Sequence, residues 1–220
     1  EPVPANCGLL LQRPQYLRFL RDITERHGAL LIFDEVISGF RLGMGGAAAR
    51  YGVRPDLATF GKVIGGGMPV GAFGGRREIM SRLAPLGPVY QAGTLSGNPI
   101  AMAAGAATLR ALAAEGVHER LEALGARLEE RVAPVASATG SGFARIGSIF
   151  WLVAQSALPR AFEAVRAGAM QRYAAVHARL LAGGVYLAPS GWEVAFLSHA
   201  MDEQDVDRLG MALVDAIAAD

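Results

Sequence analysis

Ala29-Leu30-Leu31-Ile32-Phe33 is five apolar residues in a row, closed by two carboxylates, Asp34 and Glu35. A half-exposed strand would alternate with period two, so an unbroken run of this length predicts a parallel strand covered on both faces. Parallel strands need long crossover connections, and the flanking sequence supplies them. Residues 14 to 28 read as a helix: Pro14 suits a first-turn position, Leu17, Leu20, Ile23 and His27 share a face, and Gly28 is a C-terminal stop. His27 is then a helix-end cation. Met44 to Tyr51 reads as a short helical piece and Asp56 to Phe60 as a second buried strand. The αβαβ alternation predicts an α/β domain with a mainly parallel sheet.

At the end of that second strand stands Lys62, the only lysine among 21 basic residues, followed after Val63-Ile64 by Gly65-Gly66-Gly67. A chain that otherwise uses arginine for every positive charge keeps one residue able to lose its proton and attack a carbonyl. Ligands in open α/β sheets collect at the carboxyl ends of strands, and successive glycines let a ligand or a second backbone come close. A Walker loop would need Ser or Thr after the lysine and Gly five residues before it, where Val63 and Leu57 stand. The dinucleotide fingerprint fails at Val70. Asp34 and Lys62, both at strand ends, can therefore face one crevice although 28 residues apart.

The loop Gly87 to Pro99 is long and rich in hydrogen-bonding groups, which marks it as functional, and it leads into a helix, Ile100 to Ala113, made almost wholly of small residues. Such a helix packs closely, inside the domain or against a second subunit. From about Glu115 the composition turns to Arg, Glu, Ala and Leu. Val117, Leu121, Leu124 and Leu128 describe an amphipathic helix whose solvated face carries Glu119, Arg120, Glu129, Glu130 and Arg131. Ile146 to Val153 reads as a strand, Phe162 to Leu180 as one long helix, and Val185-Tyr186-Leu187 and Val194 to Leu197 as short strands. Asp202 with Asp205 caps a last helix. The expected division is 1–115, part of a large domain, and 116–220, a smaller α+β domain whose His118 and His177 are structural or solvent-facing.

A net charge of +1 gives no electrostatic reason to expect nucleic acid or an anionic membrane as partner. Cys7 is the single cysteine, which fits a reducing, cytoplasmic setting, and no His, Cys and Asp spacing makes a metal site. Leu83 to Leu109 is free of charge, but Pro85, Pro88, Pro99 and interspersed glycines argue against a membrane span. The chain starts at Glu1-Pro2-Val3 without an initiator Met, a basic leader or an apolar signal core, and reads as part of a longer protein.

A strand-end Asp and a strand-end Lys in one crevice have a specific use with pyridoxal 5′-phosphate: the lysine forms a Schiff base and the carboxylate keeps the pyridine nitrogen protonated. The plain alternatives are a buried salt bridge for Asp34 and a turn-stabilising hydroxyl for Thr94. Three segments resemble the class III aminotransferases of fold-type I: Leu30 to Val36, Gly61 to Gly75 and Tyr90 to Pro99. The last is similar to those members that move an amino group within one molecule. The resemblance implies a partial large domain with a small C-terminal domain, and pyridoxal or pyridoxamine 5′-phosphate as cofactor. It makes Lys62 the catalytic, cofactor-bound lysine, Asp34 the partner of the ring nitrogen and Val36 a packing residue against the ring. Gly93 and Thr94 become phosphate contacts reaching a neighbouring subunit's site, which implies a homodimer, while Asn6 lies near the cofactor. Tyr90 and Glu193 face a small amino-aldehyde substrate. The upstream half of the family, with much of the phosphate loop and the aromatic that stacks on the ring, has no counterpart in these 220 residues. An aminotransferase using an external keto acceptor, or a cofactor-binding, dimerising fragment without catalysis, are the alternatives.

Overall fold

The computed structural model describes residues 1–219. Its contacts gather into two compact units, one of Glu1–Pro2 and Arg13–Glu115, the other of Val3–Gln12 with the chain from Gly116 onward.

The first unit opens with α1 (Pro14–Arg26), where proline occupies the first turn as the sequence predicts and His27 is the C-cap. β1 (Ile32–Asp34) pairs in parallel with β2 (Leu57–Phe60), Ile32 opposite Leu57 and Asp34 opposite Thr59. α2 (Gly46–Tyr51) joins them. β3 (Ala72–Gly75) lies antiparallel on β2. Only a 3₁₀ turn, Lys62–Gly65, and a loop connect β2 to β3, too little chain for a parallel crossover, so one of the two pairings departs from the expected mainly parallel order. Leu17 of α1 packs with Leu31, Phe33 and Val53 in the core of this unit. β1 is covered on that face only: Phe33 is 2 % exposed whereas Ile32 is 55 % exposed. The apolar run 29–33 therefore does not sit between two layers here, because these residues build one covering layer and not a second. α3 (Arg77–Met80) and α4 (Pro99–Leu112) complete the unit, α4 capped by Asn98, whose Oδ1 accepts from the N–H groups of Ile100 and Ala101.

Asp56, at the entry to β2, ties the elements together. Its Oδ2 accepts from Leu31 N–H at 2.8 Å and from Arg21 at 2.9 Å, and its Oδ1 accepts from Arg76 at 2.9 Å. One buried carboxylate thus links α1, β1 and the end of β3. The Leu31 N–H and the Arg76 guanidinium hold its pKa down at about 2 against burial, with Arg21 adding to them.

In the second unit α5 (Val117–Ala138), β4 (Gly142–Ile146), β5 (Ile149–Val153), α6 (Ala167–Ala182), β6 (Ala195–Phe196) and α7 (Glu203–Ala218) surround a core containing Leu128, Val132, Phe143, Phe150, Leu180 and Leu213. The stretch predicted as one strand, 146–153, is instead the second half of a tight hairpin: Ile146 faces Ile149 across Gly147-Ser148, and Gly147 takes a φ of 59° as such a turn demands. The long helix predicted from Phe162 starts only at Ala167. Phe162 lies in a separate 3₁₀ turn and stacks on Trp192, ring centroids 4.9 Å apart. Val185 to Leu187 is no strand: side chains of α6 take the carbonyl at its end and the next one, His177 Nε2 lying 3.1 Å from Leu187 O and Tyr173 donating to Ala188 O. Two charges expected to be merely solvated are paired, Glu129 with Arg145 of β4 and Arg131 with Asp207 of α7. The Asp202/Asp205 capping box forms as predicted.

Val3–Gln12 packs with this unit because it covers a tryptophan. Gly8 N–H donates to Trp192 O at 2.7 Å, Arg160 donates to Leu11 O, and a Cβ on Gly8 would stand 2.4 Å from Trp151 Cζ2. Among the described residues no single helix is long and apolar enough to cross a membrane.

Candidate active site

The carboxyl ends of β1 and β2 carry Asp34 and, three residues after its partner Thr59, Lys62. Asp34 is exposed, and its Oδ1 accepts from Val36 N–H at 3.0 Å and from the Thr59 hydroxyl at 3.3 Å. Among the described residues its Oδ2 has no partner, and Asp34 makes no ion pair. The carboxylate is thus oriented at one oxygen and free at the other, the arrangement needed to accept a hydrogen bond from a protonated ring nitrogen. A Cβ on Gly61 would lie 3.2 Å from Val36 Cγ1, so glycine at 61 is what brings Val36 against the residue before Lys62.

Lys62 is exposed and has a φ of 48°, a left-handed conformation that a side-chain-bearing residue adopts at a cost of order 1–3 kcal/mol. Glu35, adjacent to Asp34, does different work. It is 2 % exposed, with Oε2 accepting from Ser38 Oγ and Ala47 N–H and Oε1 from Ala48 N–H, so it anchors the first turn of α2. An apolar cavity of about 360 Å³ is lined by Phe40, Phe60, Ile64, Val70, Ala101 and Met102, and Lys62 is not among its lining residues.

Gly93 and Thr94 lie in the exposed turn before α4, where Gly93 O accepts from Ser96 N–H. Tyr90 is 82 % exposed. Among the described residues no hydrogen bond joins Tyr90, Gly93 or Thr94 to Asp34 or Lys62. Asn6 and Glu193 both belong to the second unit, each exposed, and the Gly8–Trp192 hydrogen bond draws their two segments together.

Residues 1–212 match the family model described as aminotransferase class-III. The chain belongs to the class-III aminotransferase family. A family member from Desulforudis audaxviator named glutamate-1-semialdehyde 2,1-aminomutase is 51% identical over 94% of this chain and 49% of its own length. Among solved structures, an omega-transaminase from Sphaerobacter thermophilus aligns with a TM-score of 0.89 and 34% identity over 99% of this chain and 50% of its own. A glutamate-1-semialdehyde-aminomutase from Pseudomonas aeruginosa in complex with PMP aligns with a TM-score of 0.85 and 27% identity over 98% of this chain and 50% of its own. The chain spans about half the length of these class-III relatives. Thr59, which holds Asp34 across strand register, and Gly105 of α4 were not singled out by residue pattern; an isolated glycine in an alanine-rich helix is the one signal that could have marked Gly105.

Proposed function

We propose that the full-length protein carrying this chain converts glutamate 1-semialdehyde to 5-aminolevulinate by intramolecular amino transfer, a step of tetrapyrrole synthesis, with pyridoxal or pyridoxamine 5′-phosphate as cofactor. The observation that carries the chemistry is the lone lysine and a half-committed aspartate at the carboxyl ends of two paired parallel strands. The name of the half-identical relatives favours this substrate.

When bound, the cofactor supplies a carbonyl carbon that can take and return an amino group and a protonated ring that draws off electrons. This chain's residues supply the rest. Val36 N–H and the Thr59 hydroxyl fix Asp34 by Oδ1 and leave Oδ2 to hold the ring-nitrogen proton. Val36, packed beside Gly61, would pack against the ring. Nζ of Lys62 would hold the cofactor, and as a free amine it would take and return the proton at the substrate's amine-bearing carbon. Asn6 orients the cofactor, and Tyr90 and Glu193 contact the substrate.

Gly93 and Thr94 contribute donors to the phosphate in a neighbouring subunit's site, which makes the working form a homodimer in the cytoplasm. The exposure of Leu86, Tyr90, Leu95 and Ile100, each 65 % or more, around that turn supports a surface made to be covered by a second copy.

The test supplies the full-length protein with cofactor and glutamate 1-semialdehyde and with no other amino donor or acceptor. Sustained 5-aminolevulinate that disappears in Lys62→Ala is the expected outcome. Product that stops after one turnover and resumes on adding a keto acid would replace this reading by an aminotransferase with an external acceptor, the activity named for the omega-transaminase neighbour.

A further inference from the structure

Gly105 sits midway along α4 among Ala101, Ala103, Ala104, Ala106 and Ala107, where alanine would make the better helix. The reason for glycine lies across the contact with the 3₁₀ turn that carries Lys62. A Cβ on Gly105 would stand 2.3 Å from the carbonyl oxygen of Ile64, two residues after Lys62. That oxygen is backbone and has no rotamer to escape into, so an added methyl can be admitted only by moving the turn or the helix. The close approach continues one step further along the turn. Gly66, at φ 58°, would place a Cβ 2.3 Å from Thr108 Oγ1 and 2.8 Å from Ala104 O. Helix and turn thus meet at Ala104, Gly105 and Thr108. Lys62, which with Phe40 is left-handed without being glycine, stands at φ 48° at the start of the segment they clamp.

We propose that Gly105 is a positioning residue: by admitting the α4 backbone onto Ile64, it holds the turn in the form that keeps Lys62 left-handed and its amine aimed for reaction. The proposal rests on the reading of Lys62 as the lysine that holds the cofactor. Misplacement of a reacting group by about 1 Å can cost about 100-fold in rate.

The experiment compares wild type, Gly105→Ala and Ala107→Ser, an exposed neighbour on the same helix, in the full-length protein. Each is incubated with pyridoxal 5′-phosphate, reduced with borohydride at intervals, and the pyridoxyl mass on the Lys62 peptide followed; melting temperature and kcat and KM are taken on the same samples. The expected result is attachment at Lys62 slowed about tenfold or more in Gly105→Ala, with a similar loss in kcat, a KM within about threefold and unaltered helical content, while Ala107→Ser behaves as wild type. Attachment that needs Lys62 but proceeds at the wild-type rate in Gly105→Ala overturns the role of Gly105 alone. Attachment at another lysine that survives Lys62→Ala overturns the reading of Lys62, and this proposal with it. Should Gly105→Ala not fold, Thr108→Ala carries the test, since it removes the atoms packed on Gly66 without adding volume: slowed attachment supports the clamp, and wild-type attachment overturns it.

Discussion

Asp34 and Asp56 are the same residue at opposite ends of one pair of strands, and their hydrogen bonds separate their roles. Asp56 spends both oxygens on Leu31 N–H, Arg21 and Arg76, whereas Asp34 spends one and keeps the other open. The buried salt bridge that sequence reasoning held open for Asp34 exists, but at Asp56. Because the folded pKa of Asp56 lies near 2, below its ordinary 3.8, its stabilising effect is fully present above 3.8 and is lost as pH falls through about 2. Asp56→Asn leaves two guanidiniums without their shared charge and is expected to cost about 3 kcal/mol at neutral pH. Urea unfolding of wild type and variant should show that gap holding at each pH above 3.8 and closing toward pH 2. A gap that stays constant to the lowest pH would mean that the charge of Asp56 contributes nothing.

Among the elements, those whose signals are local were legible in the sequence. Pro14 opens α1 because its fixed φ suits a first turn, and Asp202 with Asp205 opens α7 because the capping box carries its own hydrogen bonds; α4 begins one residue before the expected Ile100, on an Asn98 cap that the loop reading of Gly87 to Pro99 did not single out. Asp202→Ala should therefore lower stability by about 1 kcal/mol in chemical denaturation, with the loss confined in hydrogen exchange to the first turn of α7. Protection lost evenly along the helix would show that tertiary contacts, not the cap, hold its start. Where partners are distant in sequence, the reading went astray. Val185 to Leu187 has strand composition, yet His177 and Tyr173, about a dozen residues earlier, take the carbonyls of Leu187 and of Ala188 just after it. Gly147-Ser148 is a two-residue hairpin turn, and reading on through it from Ile146 merged the end of one strand with the whole of the next. In the candidate site the placement of Asp34 and Lys62 at the ends of two paired strands was legible, because an apolar run marks each strand. The contacts around them were not: Thr59 reaches Asp34 across strand register, and Gly105 meets the Ile64 carbonyl across a helix–turn contact that no local signal marks.

At the scale of the molecule, chain order and structural unit diverge at one place, Val3–Gln12, which lies before α1 yet packs with residues beyond Gly116. The segment brings Val3, Ala5, Leu9 and Leu10 into buried positions, sets Gly8 at φ 84° against the indole of Trp151, and ends with Gln12 donating to Arg160 O. Burial of those apolar side chains at about 25 cal/mol per Å² contributes on the order of 5 kcal/mol, comparable with the whole stability of a small domain. A fragment starting at Gly116 should then lack a native core around Trp151, which is 1 % exposed in the intact chain. The same fragment with residues 3–12 restored through a flexible linker should recover it. Tryptophan emission and thermal melting distinguish the cases: a red-shifted, non-cooperative fragment made blue-shifted and cooperative by the linked segment is expected. Gly8→Ala in the linked form should undo much of the recovery, because its Cβ meets both a left-handed backbone and the indole ring. A Gly116 fragment that melts cooperatively with blue-shifted emission unaided would show that Val3–Gln12 lies on a core already complete, and its buried leucines would then owe their burial to docking and not to folding.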